Sequence, residues 1–580
     1  MLKKYLKKSL AAALALLLLS ANAPRAFAAE CTDRPKPVTF YFQNTQNTAN
    51  IPAVCYYTDE YFTQSGTIPD SHLRTMSLSM AMSAFESWRS DAEDYRDRCE
   101  NFSALMKEIG FRDLKHNDAY DKRPEENSIG IAAARKKITA GGTSYTVLAV
   151  GIRGAGYEAE WAGNIRIGKT GRAEGFSQAA DQVLRFISDY EKEYGIRDHA
   201  KIWISGFSRA GAVANLAAAE MNRDPARYAT SADDIYCYTF EAPQGEEQNA
   251  AGQYRNIHNT ISPADLVPLI PLSEWGFSRA GYTQPGQAAP YSQDDLLLPA
   301  PGSSEYRAGL RTMLDRLAEI NPEIEYAIDR FTASRFTGSR DNTGSGTTAG
   351  QTVPQAEFIQ EFLTWVNSTI PDENRASFAE HYQNAFADIA RIYMGSPRST
   401  QEKMNAALTD SVKDWTFYLA IGAMVLTITA RGSLSSAVYE EGLRTSSGIL
   451  GNIIVRHMKQ QQAGLPEEDY QALKNAVYPI VRFADSAIED DFKNHHGYHF
   501  VTLIFNLDPV LQAHYPEICL AWMQTMDSYF TESLKTEHAW DAGTGITPAN
   551  TGSPAAVILY TCRTCGKTKK ELAGAQPQRP

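Results

Sequence analysis

Residues 201–220, KIWISGFSRAGAVANLAAAE, limit what this chain can become more than any other stretch. The apolar run Ile202, Trp203, Ile204 reads as a buried strand. Gly206-Phe207-Ser208-Arg209-Ala210-Gly211 then makes a tight turn, and 212–217 continue in helix formers with no breaker. A serine at the apex of so sharp a strand–turn–helix reads as a nucleophile elbow. Its backbone is strained, and the positions two residues to either side must be small, or strand and helix collide. Gly206 and Ala210 occupy those positions. The helix behind the serine aims its first N–H groups where a developing oxyanion would sit. A Gly-x-Ser-x-small pattern also arises by chance, so the reading requires an acid, a histidine and an oxyanion loop from elsewhere in the chain.

At 580 residues the chain exceeds a single hydrophobic core, which predicts two or more lobes. Residues 1–29 carry the marks of a secretory signal. Lys3, Lys4, Lys7 and Lys8 form its basic end, 10–19 is an apolar run too short to span a bilayer, and Ala26-Phe27-Ala28 is an A-x-A cleavage site. The competing reading is an uncleaved anchor. Removing the signal takes away five of the 56 cations and none of the 68 anions, moving the net charge from −12 to −17. An exported protein this acidic is poorly suited to nucleic acid or to an anionic membrane surface, but can still meet neutral lipid or small esters. No stable membrane span is expected after cleavage. The seven cysteines are too few and too scattered for a disulfide scaffold, and Cys31–Cys55 is one pairing that the sequence leaves open.

Apolar strands alternating with helices predict a mostly parallel sheet covered on both faces. Residues 38–42, VTFYF, read as an early strand, with 77–88 and 99–109 as helices after it. Residues 129–138 and 145–153 read as a strand pair joined at Gly141-Gly142, and 235–240 and 255–261 as further strands. Residues 174–194 read as a helix with Phe176, Ala179, Val183, Phe186 and Ile187 on one stripe. In such sheets the chemistry gathers at the C-terminal strand ends. Ser208, Ala155 and Asp265 each follow a strand. The glycine-rich loop that holds Ala155 is where an oxyanion amide is expected. Asp265 reads equally well as an ordinary turn residue near proline.

Five motifs, in order over about residues 145–271, resemble those of the class 3 lipases. IRGA at 152–155 is similar to their Arg-Gly-Thr/Ser loop, and EGF at 174–176 to their His-x-Gly-Phe helix start. GFSRAG resembles their Gly-His-Ser-Leu-Gly-Gly elbow, and YTFEAPQG at 238–245 their Thr-Phe-Gly-Ala-Pro-x-x-Gly strand. NTISPADLVPLIP at 259–271 resembles their Asn-x-x-Asp-x-Val-Pro acid loop, and the 57 positions from 208 to 265 are a separation typical of that family. The resemblance implies an α/β-hydrolase fold, Ser208 as nucleophile, Asp265 as acid, and the Arg209 and Ala155 amides as oxyanion donors. There are departures. Ala155 replaces a hydroxyl residue, so only its amide remains to donate, and losing one such donor typically costs about 100- to 1000-fold in turnover. Phe207, Arg209 and Ala210 replace a histidine, a leucine and a glycine of the elbow, which bears on substrate class more than on reaction type.

Residues 299–489 turn helical, with candidate helices at 304–320, 355–367, 375–394, 400–430, 433–459 and 467–488 and a Gly/Ser/Thr-rich loop at 337–352. This block reads as a large helical cap inserted into the α/β-hydrolase core, which it splits into 30–298 and 490–542; a tail, 543–580, follows. The apolar stretch 417–430 is 14 residues long and reads as a buried helix rather than a membrane span. In α/β-hydrolases the histidine follows the acid in chain order, in a loop after the last strand. FVTLIF at 500–505 reads as that strand, and His514 comes next, just before a helix start at Tyr515-Pro516-Glu517. His495, His496 and His499 compete for the role, His496 foremost. The same cluster could instead bind a metal, although no carboxylate or cysteine has matching spacing. Cys562 and Cys565 in the tail are half a zinc knuckle, leaving a weak metal site or a local disulfide open and no catalytic role expected.

Two classes of function remain. One is a secreted serine ester hydrolase of lipase or esterase type, with Ser208, His514 and Asp265 as a triad that needs no metal or organic cofactor. The other is a hydrolase fold kept as a surface or binding protein without turnover, suggested by Ala155 and the large helical block.

Overall fold

The structure, a computed structural model, describes residues 35–43, 50–85, 99–122, 127–154, 158–168, 171–250, 253–262, 264–281, 304–321, 335–337, 352–495, 497–505, 510, 512–527, 530, 544–546, 557–561 and 568–572. The signal sequence, the loop residue Ala155, His496 and the tail cysteines Cys562 and Cys565 lie outside these residues. The chain divides into units Met1–Lys36 and Pro37–Pro580, and the architecture that follows is that of the second.

Its centre is a six-stranded sheet in the order Arg112–His116 (β1), Ile131–Ala140 (β2), Thr143–Ile152 (β3), Ala200–Phe207 (β4), Ile235–Phe240 (β5) and Ile257–Thr260 (β6). The first three strands pair antiparallel; β3 through β6 run parallel. The β2–β3 hairpin turns on Gly141 and Gly142, both with positive φ, as a two-residue primed turn demands. Every residue of β4 and β5 is buried, which accounts for their largely apolar sequence.

Helices cover both faces. Glu174–Tyr194 (α1) and Arg209–Arg223 (α2) pack on one side, where Phe176, Val183, Ile187, Val213 and Leu216 share a core with Leu148, Val150, Ile202 and Ile204. On the other side lie Ser71–Ser83, Ser304–Ile320 and Pro516–Met526, whose Leu78, Leu317 and Leu520 share a core with Val147, Trp203 and Tyr238. Alternate residues of β3 thus feed opposite cores, the period-two logic of a strand covered on both faces. The Trp203 indole donates to Ser77 Oγ at 2.7 Å, and Ser205 Oγ donates to the Ser77 carbonyl at 2.8 Å, fixing the helix 71–83 against the elbow strand. The mostly parallel α/β sheet expected of an α/β-hydrolase with a helical insertion is therefore present.

Three expectations from the sequence change. The helix expected over 400–430 is two, Arg398–Lys413 and Trp415–Thr429. Asp414 breaks the run because its carboxylate caps the second helix, accepting from Thr416 N–H at 2.9 Å. Trp415–Thr429 is not a buried helix: Ala420, Met424 and Ile428 face inward, while Trp415 and Leu426 are each 70% exposed. Among the described residues no helix is long and apolar enough to cross a membrane. The third change concerns FVTLIF, which is helical within Tyr498–Phe505 rather than the last strand of the sheet. A continuous apolar run this short fits a buried strand or a buried helix equally well, and here the surrounding helices decide.

Candidate active site

The elbow begins with glycine. A Cβ on Gly206 would lie 2.2 Å from the Ala210 carbonyl oxygen, and one on Gly211 would lie 2.9 Å from Ala242 Cβ. The first clash is the strand–helix collision the sequence predicts, while the need for Gly211 against Ala242 depends on the neighbouring strand and is invisible locally. Ser208 itself takes φ 57°, ψ −127°, a strained conformation for an L-residue, and its N–H donates to the Phe240 carbonyl at 2.8 Å. Strand β4 and helix α2 thus force the serine outward at the C-terminal edge of the sheet.

His514 reaches that serine from far along the chain. Its Nε2 is 2.7 Å from Ser208 Oγ, and its Nδ1 is 2.5 Å from Asp265 Oδ2. Asp265 is fully buried, and its Oδ1 accepts the Val267 N–H at 2.9 Å. With the carboxylate at Nδ1, the imidazole proton sits there and Nε2 can accept from Ser208. The Phe207 ring lies 5.2 Å from the His514 ring and helps hold its plane. Asp265, read from the sequence either as an acid or as a turn residue, has the geometry for each: its N–H closes a turn onto the Ser262 carbonyl while its carboxylate meets the histidine.

Of the three competing histidines, His495 and His499 lie elsewhere, and His496 falls outside the described residues. His499 Nδ1 is 2.8 Å from Asp491, and its ring stacks on Trp365 at 4.2 Å; His495 pairs with Asp490. Among the described residues no group of three His, Cys, Asp or Glu side chains could hold a metal. Cys55, one half of the pairing left open above, is a buried free thiol, and Cys31 lies outside the described residues.

The helix behind Ser208 starts at Arg209, whose amide falls at the first helical position, where no i−4 acceptor exists. The Arg209 guanidinium is fully buried and donates to Asn164 Oδ1 at 2.9 Å. Residues on either side of the Ala155 loop are described. Arg153 and Glu160, both fully buried, form an ion pair at 3.0 Å, and Arg153 also donates to the Ala119 carbonyl. This buried ion pair joins the two residues that flank the loop.

One residue was missed by the sequence reading. Glu241 follows β5, is buried at φ 47°, and its Oε2 accepts the Ser262 N–H at 2.8 Å, three residues before Asp265. Its burial and the adjacent Asp265 charge hold it well above the usual carboxylate range. The one signal available was an acid at the end of a strand buried along its whole length.

Fold and site together define an α/β-hydrolase with a serine at its elbow. Residues 150–275 match the sequence profile of the family described as Lipase (class 3). Over that stretch the chain is class 3 lipase-like. A structure search matches Lipase II from Rhizopus niveus at 14% identity and a TM-score of 0.25, covering 36% of this chain and 79% of that one. No curated protein sequence matches this chain.

Proposed function

We propose that the protein is an exported carboxylic ester hydrolase of lipase or esterase type, acting through Ser208, His514 and Asp265. The observation that carries this reading is the continuous contact from Ser208 Oγ through the His514 imidazole to the Asp265 carboxylate. Ser208 Oγ attacks the ester carbonyl as its proton passes to His514 Nε2. Asp265 keeps the imidazole in the required tautomer and stabilises the imidazolium. The carbonyl π pair moves onto oxygen, where the Arg209 amide, and by the family resemblance that of Ala155, would donate to it. Collapse of this intermediate breaks the ester C–O bond, and His514 gives its proton to the departing alkoxide, leaving Ser208 acylated. Water then repeats the sequence with His514 as base and releases the acid. No step calls on a metal or organic cofactor.

The substrate would be a lipid or small ester, in keeping with the lipase-like region and the acidic charge. The leader at 1–29 supports export, and N-terminal sequencing of the protein from the culture medium should begin at Ala29 or Glu30. Ala155 favours the second reading, a weak or inactive hydrolase fold used for binding, because its side chain adds no donor. A fluorophosphonate probe decides between the two. Labelling of the wild type that disappears in Ser208→Ala, with turnover of nitrophenyl esters, is the expected result. A wild type that neither labels nor turns over a chain-length series of these esters overturns the hydrolase reading.

A further inference from the structure

We propose that Arg279 is a positioning residue of this site: its guanidinium ties the loop that carries Asp265 to the segment that backs the nucleophile elbow, fixing the two groups that His514 bridges. The inference rests on the hydrolase reading above. Arg279 Nη1 donates to the Pro268 carbonyl at 2.5 Å and to the Ala242 carbonyl at 3.1 Å. A terminal guanidinium nitrogen carries two hydrogens, so one atom serves both acceptors.

The two acceptors belong to opposite halves of the site. Pro268 lies in the turn Val267–Leu269, one residue past the Val267 N–H that Asp265 Oδ1 accepts at 2.9 Å. Ala242 lies two residues past Phe240, whose carbonyl receives the Ser208 N–H at 2.8 Å. A Cβ added to Gly211 would lie 2.9 Å from Ala242 Cβ, so Ala242 is seated directly on the elbow turn. Both residues are buried and stand beyond Phe240 and Thr260, the last paired residues of β5 and β6. Their carbonyls therefore need partners other than the sheet, and a guanidinium supplies charge-assisted ones.

Arg279 is itself held in place by its neighbours in the chain. Ser278 pairs antiparallel with Glu246, and its carbonyl receives the Gly245 N–H at 3.0 Å. Ala280, fully buried, donates its N–H to Asn215 Oδ1 at 2.9 Å. The Ala280 carbonyl accepts from Asn215 Nδ2 at 2.6 Å and from Asn259 Nδ2 at 2.9 Å. Asn215 belongs to α2, the helix behind Ser208, and Asn259 to β6, the strand that leads into the acid loop. The segment around Arg279 is thus stapled to both halves of the site, and the side chain adds a link beyond the strand ends. Gln244 N–H holds the far end of the same loop through the Ile270 carbonyl at 3.2 Å, so loss of Arg279 should loosen the Asp265 turn without detaching the loop. A displacement of about 1 Å in a reacting group can cost about 100-fold in rate.

Three variants of the full chain test this. Arg279→Met keeps an unbranched stem and removes every donor. Arg279→Lys keeps the charge on a shorter stem without the planar fork. Lys201→Met is the control, because Lys201 is buried and ion-paired to Asp234 at the opposite end of the elbow strand from Ser208. Each is assayed with a nitrophenyl ester below its melting temperature, with kcat expressed per folded molecule. Arg279→Met should lose roughly 10- to 100-fold in kcat at unchanged KM, and the rate of fluorophosphonate labelling should fall in step. Arg279→Lys should lose about 3- to 10-fold. Lys201→Met should melt at a lower temperature and keep the wild-type kcat. A structural role alone would lower the melting temperature of all three and leave kcat per folded molecule unchanged. A folded Arg279→Met with wild-type kcat, a change confined to KM, or a Lys201→Met as slow as Arg279→Met overturns the proposal. Where Arg279→Met does not fold, Arg279→Lys decides by the same criteria. A wild type inactive on every ester overturns the hydrolase reading and the positioning role with it, whereas an active wild type with both Arg279 variants at wild-type kcat overturns the positioning role alone.

Discussion

His514 Nε2 stands 2.7 Å from Ser208 Oγ across 306 positions of sequence. The contact predicts strong, non-additive losses on mutation. Ser208→Ala and His514→Ala should each lower kcat by about 10⁴-fold or more with folding intact, and the double variant should be little worse than either. His499→Ala, in the pair with Asp491, should leave fluorophosphonate labelling unchanged while lowering the melting temperature. Labelling that survives in His514→Ala would assign the base elsewhere.

Gly206 leaves no room for a side chain. Its added Cβ would sit 2.2 Å from a backbone oxygen, which no rotamer change can relieve. Gly206→Ala should therefore cost about 1–3 kcal/mol or more by overpacking and displace Ser208. Urea denaturation and probe labelling measured together should show both effects.

The buried Arg153–Glu160 pair anchors the two ends of the loop that holds Ala155. Glu160→Gln leaves the guanidinium buried without its counter-ion and should cost about 3–5 kcal/mol. Residual folded enzyme should turn over more slowly, since Arg153 stands two residues from the position expected to supply an oxyanion amide. Denaturation midpoints together with kcat at low temperature would separate the two effects.

Glu191, near the C-terminal end of helix α1, is raised from 4.5 to about 7 by burial, and its Oε1 has no hydrogen-bond partner. The folded chain holds this proton more tightly than the unfolded chain does. The stability it contributes is full below about pH 4.5 and is lost as pH rises through about 7. Glu191→Gln should therefore raise the melting temperature by a few degrees at about pH 8 and hardly at all near pH 5. Calorimetry at the two pH values checks the sign.

The elbow was legible because its causes are local: an apolar strand, small residues around the turn and a helix that starts at once. Strands β2 to β6 and helix α1 were legible through their periodicity and glycine turns. His514 was found through the helix start at Pro516, a local signal, although the strand expected ahead of it is the helix Tyr498–Phe505. Glu241 was not legible as a neighbour of Asp265. Their meeting depends on β5 lying beside β6, which is a property of strand order rather than of either segment. The exposed apolar side of Trp415–Thr429 was missed because hydrophobicity all round a short helix gives no direction, and only its neighbours decide which side is covered.

The backbone bonds at the strand ends have one more consequence. Ser208 hangs from the last residue of β5, Phe240, and Glu241 hangs from the last residue of β6, Thr260. The backbones of Ser208 and Glu241 are thus held at the ends of adjacent strands, which stand about 4.8 Å apart, whatever the intervening chain does. Growth or shrinkage of the helical segments between β6 and His514 need not alter that spacing. A slip of a single residue in β5 or β6 would turn its side chains to the opposite face and scatter all of them at once.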